Sequence, residues 1–292
     1  MKNIDVESFI KDLGIYVPPK SRFEILGNAT ALYFDHGNFY KLNFERGMLL
    51  YSLISKYKPK NILEFGTASG FGTLCMAWAL SDNNIDGKIF TIDISSLTEK
   101  HTRPVKFDNG KNELKNISVQ EIWKKIAKPE WLKKIEFLHG YSGKIFNSFN
   151  FPKIDFGYID AAHFYEGVKH DFYSFLTVAS QNFGILFDDY AQRDQYGIKK
   201  LLDEVDSEFK ITLIDTDLNR DLLKLKMVND KNYGMCWLDF YDSKPISEIV
   251  CIQDLSHFIK KYRTFEKRLR LRTKLNQKIP YLRKVKLSFW RY

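Results

Sequence analysis

The stretch that decides the fold is Asn61-Ile-Leu-Glu-Phe-Gly-Thr-Ala-Ser-Gly-Phe-Gly72, a short apolar run that ends in a glycine-rich turn. Residues 61–65 have the composition of a buried strand, and a helical pattern follows from Ser69 to Leu80. Gly66 and Gly70 let the backbone turn tightly and approach a ligand without obstruction by a Cβ atom. The start of the helix offers backbone N–H groups to an anionic group such as a carboxylate. The stretch therefore predicts a strand, a ligand-binding turn and a helix.

Strands and helices continue to alternate downstream as far as residue 240. Further strands are predicted at residues 88–93, 135–139, 154–160, 184–188, 209–214 and 235–240, and downstream helices at 165–180 and 197–205. Two more helices, at 6–13 and 44–57, are predicted upstream. Such alternation is typical of a mostly parallel sheet covered by helices. We expect a Rossmann-like α/β fold with seven strands, helices on both faces and an antiparallel last strand.

Charge and composition divide the chain into three regions. Residues 259–292 hold 13 Lys/Arg and one acid, whereas the other 258 residues hold 32 basic and 35 acidic residues. We predict an N-terminal lid or cap at residues 1–43, the α/β domain at 44–258 and a basic amphipathic tail at 259–292. An insertion at residues 94–134 contains a helical stretch at 118–126.

Cysteine spacing, apolar stretches and charge give a coarse indication of the cellular location and the partners. The three scattered cysteines form no CxxC pair, and no stretch has the length and apolarity of a membrane span, so we expect a cytoplasmic protein. The near-neutral body makes a nucleic-acid partner unfavoured. For the tail, contact with an anionic membrane surface, contact with RNA and packing as an ordinary helix all remain open. A homo-oligomer also remains open.

The turn and the next strand together indicate which ligand they bind. Asp93 ends the second predicted strand, where a carboxylate can bind both hydroxyls of a ribose. Asp93 and Glu64 would repel a pyrophosphate, and the GxxxGxG spacing differs from the GxGxxG of dinucleotide-binding turns. We therefore expect a nucleoside ligand without phosphates.

Three more carboxylates end two strands that should be neighbours in the sheet. Asp160 follows one strand, and Asp188 and Asp189 end the next. Like charges in one pocket need neutralisation, and oxygen ligands of this kind suit Mg²⁺, which can acidify a bound hydroxyl. His163 lies three residues after Asp160 and can accept a proton at physiological pH. The alternatives are that Asp188 caps a segment and that His163 is a surface residue.

Several of these motifs resemble those of class I S-adenosylmethionine (SAM)-dependent methyltransferases. The resemblance rests on ILEFGTASGFGT at residues 61–72 and FTIDIS at 90–95, and it spans about residues 44–240. It implies that Gly66, Ser69 and Gly70 line the methionine end of SAM and that Asp93 binds the ribose, with Glu64 in the same cofactor site. Tyr141 and Ser142, after the third strand, would lie near the adenine.

The segments YIDAAHFYEGVKHDF (158–172) and GILFDDY (184–190) are similar to those of sugar O-methyltransferases of macrolide biosynthesis and, in layout, of catechol O-methyltransferases. The resemblance implies that Asp160, Asp188 and Asp189 bind Mg²⁺, with Asp160 and His163 as catalytic residues and His163 as the base. The sequence departs from the pattern of these enzymes at two points. Ala161 and Ala162 carry no polar group, and the strand at 184–188 leads into the pair Asp188-Asp189 rather than into Asp-Asn or Glu-Asp.

These features predict an O-methyltransferase that acts on a hydroxyl of a small molecule or of a sugar or glycan precursor, using SAM and Mg²⁺. A metal-independent enzyme that relies on His163, and a nucleic-acid-associated SAM-binding protein, are the alternatives. For most of Tyr33, Phe34, Phe39 and Tyr40 we expect packing against the core, with a lid or a substrate wall as the alternative. Tyr190 and Arg193 are candidate substrate contacts.

Overall fold

The structure is a computed structural model of the 292-residue chain. It describes all residues except 32–33, 36–37, 40–43, 108–109, 112, 191–196, 217–233, 242–247, 250–253 and 279–292. Tyr33, Tyr40 and Arg193 therefore lie outside the described residues. Among the described residues, no helix has the length and apolar character needed to cross a membrane.

The centre of the molecule is an eight-stranded sheet with the order β1-β11-β12-β10-β9-β4-β5-β8. Its strands are β1 (Lys2–Asp5), β4 (Asn61–Phe65), β5 (Lys88–Asp93), β8 (Ile135–His139), β9 (Ile154–Ile159), β10 (Ala179–Tyr190), β11 (Lys210–Asp215) and β12 (Gly234–Asp239). Only β12 runs antiparallel to its neighbours β10 and β11; the other pairings in this sheet are parallel. The sheet confirms the predicted Rossmann-like architecture.

Ten helices in the described part of the chain accompany the sheet. They are α1 (Val6–Leu13), α2 (Lys20–Ala29), α3 (Phe44–Tyr57), α4 (Phe71–Asp82), α5 (Val119–Ile126), α6 (Pro129–Leu132), α7 (Ser142–Ser148), α8 (Tyr165–Val178), α9 (Ile198–Val205) and α10 (Leu255–Lys278). Two large apolar clusters hold them on the sheet. One contains buried residues of α1 to α4, and the other contains buried residues of α7 to α10.

The structure differs from the sequence-based expectation near the N-terminus. Residues 2–5 form β1, which pairs in parallel with β11 and makes eight strands rather than seven. Residues 20–29, expected as loop or lid, form α2, because Phe23 and Leu26 enter the core beside Trp78. Farther along, β2 (Phe34–Asp35) and β3 (Asn38–Phe39) form a short antiparallel pair.

The insertion at residues 94–134 also contains more regular structure than expected. An antiparallel hairpin of β6 (His101–Val105) and β7 (Glu113–Ile117) precedes the predicted helix α5. Ser118 caps α5 in a reciprocal arrangement with Glu121, which explains why this helix is recognisable from its sequence. The hairpin lacks such a signal.

The beginning of the basic tail is part of the folded body. Helix α10 contacts α7 and α8, and Ile259, Tyr262 and Glu266 are buried. Its exposed side includes Lys260, Lys267 and Arg268. For residues 255–272, the structure therefore supports the packed-helix interpretation of the tail.

Candidate active site

The glycine turn after β4 crosses directly over the end of β9. Gly66 has φ = +94°, and a Cβ atom at this position would lie 2.0 Å from the carbonyl oxygen of Asp160. The Asp160 N–H donates to the Phe65 carbonyl at 2.9 Å, which holds the two strand ends together. Only glycine combines this backbone conformation with this close approach. The turn therefore places the predicted cofactor residues beside the predicted catalytic ones.

The second glycine of the turn begins helix α4 and is covered by the insertion. Gly70 is the N-cap of α4 with φ = +89°, and no side chain caps the first turn of this helix. A Cβ atom on Gly70 would lie 2.3 Å from the indole of Trp123, which also donates from Nε1 to the Ser69 carbonyl at 2.9 Å. Because its N-cap is a glycine, α4 begins without a capping side chain from that residue, which suits a ligand carboxylate.

Asp93 closes the opposite side of the turn. Its Oδ2 accepts from the Ala68 N–H at 2.8 Å and its Oδ1 from the Ser95 N–H at 2.7 Å. A carboxylate has about four acceptor positions, so both oxygens can still accept from ribose hydroxyls. Arg103 of β6 reaches the same turn and donates to Ser69 Oγ at 3.4 Å. The position of Asp93 fits the predicted ribose contact.

Glu64 lies beneath the turn rather than on its surface. Its side chain is buried, and Thr73 Oγ1 donates to its Oε2 at 2.5 Å. Burial raises the pKa of Glu64 to about 8, although the hydrogen bond from Thr73 opposes this shift. A buried Glu64 supports the base of the turn, and its predicted contact with the cofactor stays a prediction.

The segment after β8 lies between the sheet edge and α10. Ser142 Oγ donates to Asp171 Oδ1 at 2.7 Å, so this hydroxyl is bound within the protein. Tyr141 is the N-cap of α7, and the Arg270 guanidinium of α10 lies 6.0 Å from the centre of its ring. The predicted adenine contacts of Tyr141 and Ser142 are therefore next to α10, which the sequence did not indicate.

The carboxylates of Asp160 and Asp188 converge as predicted, but on an arginine. Arg46 Nη1 lies 2.9 Å from Asp160 Oδ2 and 2.5 Å from Asp188 Oδ2. The Tyr158 hydroxyl donates to the same two oxygens, at 2.9 Å and 3.3 Å. Burial and the charge of Asp188 raise the pKa of Asp160, whereas Arg46 lowers it. The guanidinium offsets part of the repulsion between the two carboxylates.

The third predicted ligand, Asp189, turns to His163 instead. Asp189 has φ = +57° at an irregularity in the pairing of β10 with β12, and its Oδ2 lies 3.2 Å from His163 Nδ1. A left-handed aspartate costs about 1 kcal/mol or more and is often found at functional sites. Burial lowers the pKa of His163 below its ordinary value of 6.5, so the ring is neutral near pH 7. Asp189 is placed to accept from Nδ1–H, which leaves Nε2 as the proton acceptor.

The three acids thus divide between two partners, and they do not form one ligand set for Mg²⁺ in this arrangement. In the part of the chain that the structure describes, no group of three His, Cys, Asp or Glu side chains is arranged to hold a metal ion. The convergence of Asp160 and Asp188 agrees with the prediction. The magnesium site itself is not supported, because Arg46 and Tyr158 already contact the Oδ2 atoms of both acids.

Sequence reasoning missed Arg46, Tyr158 and Trp123. Arg46 lies in the first turn of α3, and its guanidinium contacts the ring of Phe71. Next to it, Gly47 packs tightly on α4. Both contacts depend on the tertiary fold. Tyr158 occupies a position in a strand that reads as ordinary core. An arginine at the start of an apolar helix was the only available signal, and it did not indicate which carboxylates it would contact.

Comparisons with known proteins agree with the fold. Residues 63–190 match a family model described as a methyltransferase domain. The fold is similar to that of the O-methyltransferase TomG from Streptomyces achromogenes, solved in complex with SAM: TM-score 0.50, 15% identity, covering 80% of this chain and 96% of that one. A cofactor-bound protein from MTB also matches with TM-score 0.50 and 15% identity, over 80% of this chain and 95% of that one. No curated protein matches the chain by sequence.

The family match begins within β4 and ends with β10. It therefore includes the glycine turn, Asp93, Asp160, His163 and the two acids at the end of β10. Residues 63–190 are thus similar to a methyltransferase domain, and they lie on a Rossmann-like α/β fold.

Proposed function

We propose that this chain is a SAM-dependent O-methyltransferase whose acceptor is a hydroxyl of a small molecule or of a sugar or glycan precursor. One observation carries the proposal. The uncapped start of α4, lined by Gly66 and Gly70, lies at the same sheet edge as the neutral His163 and its partner Asp189. A donor site and a proton acceptor at one edge are what methyl transfer to a hydroxyl requires.

The residues around the turn fit SAM. N–H groups in the first turn of α4 can donate to the methionine carboxylate, and Asp93 can accept from the ribose hydroxyls. When bound, SAM supplies a methyl group activated by a positively charged sulfur. TomG, which has a similar fold, was solved with SAM bound, and this supports the same cofactor here.

His163 is proposed to remove the proton of the acceptor. Asp189 fixes the imidazole by accepting from Nδ1–H, and Nε2 takes the hydroxyl proton as the oxygen attacks the methyl carbon. Bound SAM would supply the methyl carbon to which the acceptor oxygen bonds, and its sulfur would take the electron pair of the broken C–S bond, giving S-adenosylhomocysteine (SAH). The proton remains on His163 until water accepts it.

The position of Arg46 favours the route that uses His163 without a metal over the magnesium-assisted route. Its guanidinium already supplies positive charge between Asp160 and Asp188. These acids therefore hold Arg46 at the reacting edge.

The cofactor assignment can be tested by isothermal titration of the full chain with SAH. We expect one SAH per chain, with affinity weaker by about tenfold or more in Asp93→Asn, because a ribose acceptor is lost. Asp86→Asn, in the exposed loop between α4 and β5, is the matched control and should bind as the wild type does. No SAH binding by the folded wild type, or equal affinity in Asp93→Asn, would contradict the assignment.

A further inference from the structure

Arg46 lies between two carboxylates that are arranged as they would be around a cation. A single nitrogen, Nη1, lies within hydrogen-bond distance of one oxygen from each of two acids at adjacent strands, Asp160 directly after β9 and Asp188 on β10. The side chain of Asp188 is 7% exposed and that of Asp160 is 19% exposed. Two acids this close in a poorly solvated place repel each other, and a positive partner relieves that repulsion.

The helix that carries Arg46 is fixed against the rest of the site. A Cβ atom on the next residue, Gly47, would lie 2.6 Å from the Phe71 ring and 2.8 Å from Cys75 Sγ. The guanidinium of Arg46 lies 5.7 Å from the centre of the Phe71 ring. Helix α3 therefore cannot move away from α4 without loss of close packing, and Arg46 is held above the acids.

We propose that Arg46 is a built-in cation that takes the place of a divalent metal at Asp160 and Asp188, and that removal of its guanidinium opens a metal site there. The two Oδ2 atoms that now accept from Arg46 would become available as hard oxygen ligands, with water completing the coordination. The inference rests on the proposed function only in taking this edge as the reaction site.

The predicted change is in metal binding, which can be measured without methyl transfer. Mn²⁺ is the probe, and its binding to the full chain is followed by electron paramagnetic resonance of the free ion. The wild type should show no saturable site that depends on Asp160. Arg46→Gln should bind one Mn²⁺ at least about tenfold more tightly than the wild type, because two carboxylates lose their cation.

Two further variants test whether charge at this position is the cause. Arg46→Lys restores a positive charge and should again exclude Mn²⁺. The double variant Arg46→Gln/Asp160→Asn should lose the new site, and it should be more stable than Arg46→Gln because the buried acids no longer repel each other. Circular dichroism and thermal unfolding of each variant show whether it is folded.

Three results would overturn the inference. One is a Mn²⁺ site in the wild type that Asp160→Asn abolishes, since Arg46 would then not replace the metal. The second is a folded Arg46→Gln that binds Mn²⁺ no better than the wild type. The third is equal Mn²⁺ binding by Arg46→Gln and Arg46→Lys. If Arg46→Gln does not fold, the wild-type measurement still decides the first point. SAH binding by the wild type separately tests the proposed function, so the two can fail independently.

Discussion

At the scale of single residues, Gly66 is the position at which backbone conformation and close packing coincide. Gly66→Ala should lower the free energy of unfolding by about 3 kcal/mol or more, because its Cβ would meet the Asp160 carbonyl at 2.0 Å. Gly14 is the control: it also has positive φ, +67°, but nothing lies within 4 Å of the position that a Cβ atom would take there. Gly14→Ala should cost about 1 kcal/mol. Urea unfolding measures both, and equal costs would contradict the close-approach argument.

Glu64 makes the stability of the protein depend on pH. Its pKa is raised from 4.5 to about 8, so the folded protein keeps a proton that the unfolded chain releases. This contribution is complete below about pH 4.5 and is lost as the pH rises towards about 8. Between pH 5 and 8 the free energy of unfolding of the wild type should fall by about 2–4 kcal/mol more than that of Glu64→Gln, because glutamine cannot ionise. Parallel slopes of unfolding free energy against pH for the two proteins would be inconsistent with a raised pKa.

The residues that the sequence could identify are those whose role follows from a strand end or a glycine turn. Gly66, Asp93, Asp160 and Asp188 lie at the sheet edge as expected, since the carboxyl ends of parallel strands share one edge. The turning of Asp189 to His163 depends on a local irregularity of β10, which has no signature in the sequence. Arg46 could not be placed because its partners are 114 and 142 residues away in the chain.

At the scale of secondary structure, the insertion supports the cofactor turn through one side chain of α5. Trp123→Ala should weaken SAH binding by about tenfold or more, since it removes the ring against Gly70 and the hydrogen bond to Ser69. Trp131→Ala is matched in size and lies in the same insertion, on α6, where its ring stacks on Trp78. That variant should lose stability but keep the affinity for SAH. Titration of both variants with SAH measures the difference. Equal losses of SAH affinity in the two variants would refute the role of α5.

The elements themselves were largely predictable, and the exceptions have a physical reason. Helix α3 and strands β4 and β5 begin and end where their apolar patterns indicated. Helix α2 did not, because its pattern is weak and its stability comes from Phe23 packing on Trp78, a contact that only the folded chain provides.

At the scale of the whole molecule, α10 joins the C-terminal region to the cofactor side of the sheet. Tyr262 stacks on His170 with ring centres 4.4 Å apart, and Glu266 Oε1 accepts from the Gly143 N–H at 3.0 Å at the start of α7. Tyr262→Ala should cost about 3 kcal/mol in unfolding free energy, whereas exposed Lys267→Ala on the same helix should change it by less than about 0.5 kcal/mol. If both variants unfold like the wild type, α10 is a separable appendage rather than part of the core.

The central claim is that methyl transfer takes place at the sheet edge that holds both the glycine turn and His163. Its most direct test is transfer of label from methyl-tritiated SAM to a panel of hexose glycosides and catechols by the full chain and by His163→Asn. We expect the wild type to label an acceptor, and His163→Asn to lower the rate by about 10²–10⁴-fold with unchanged affinity for SAH. If the wild type labels an acceptor and His163→Asn labels it at the same rate, the central claim is contradicted.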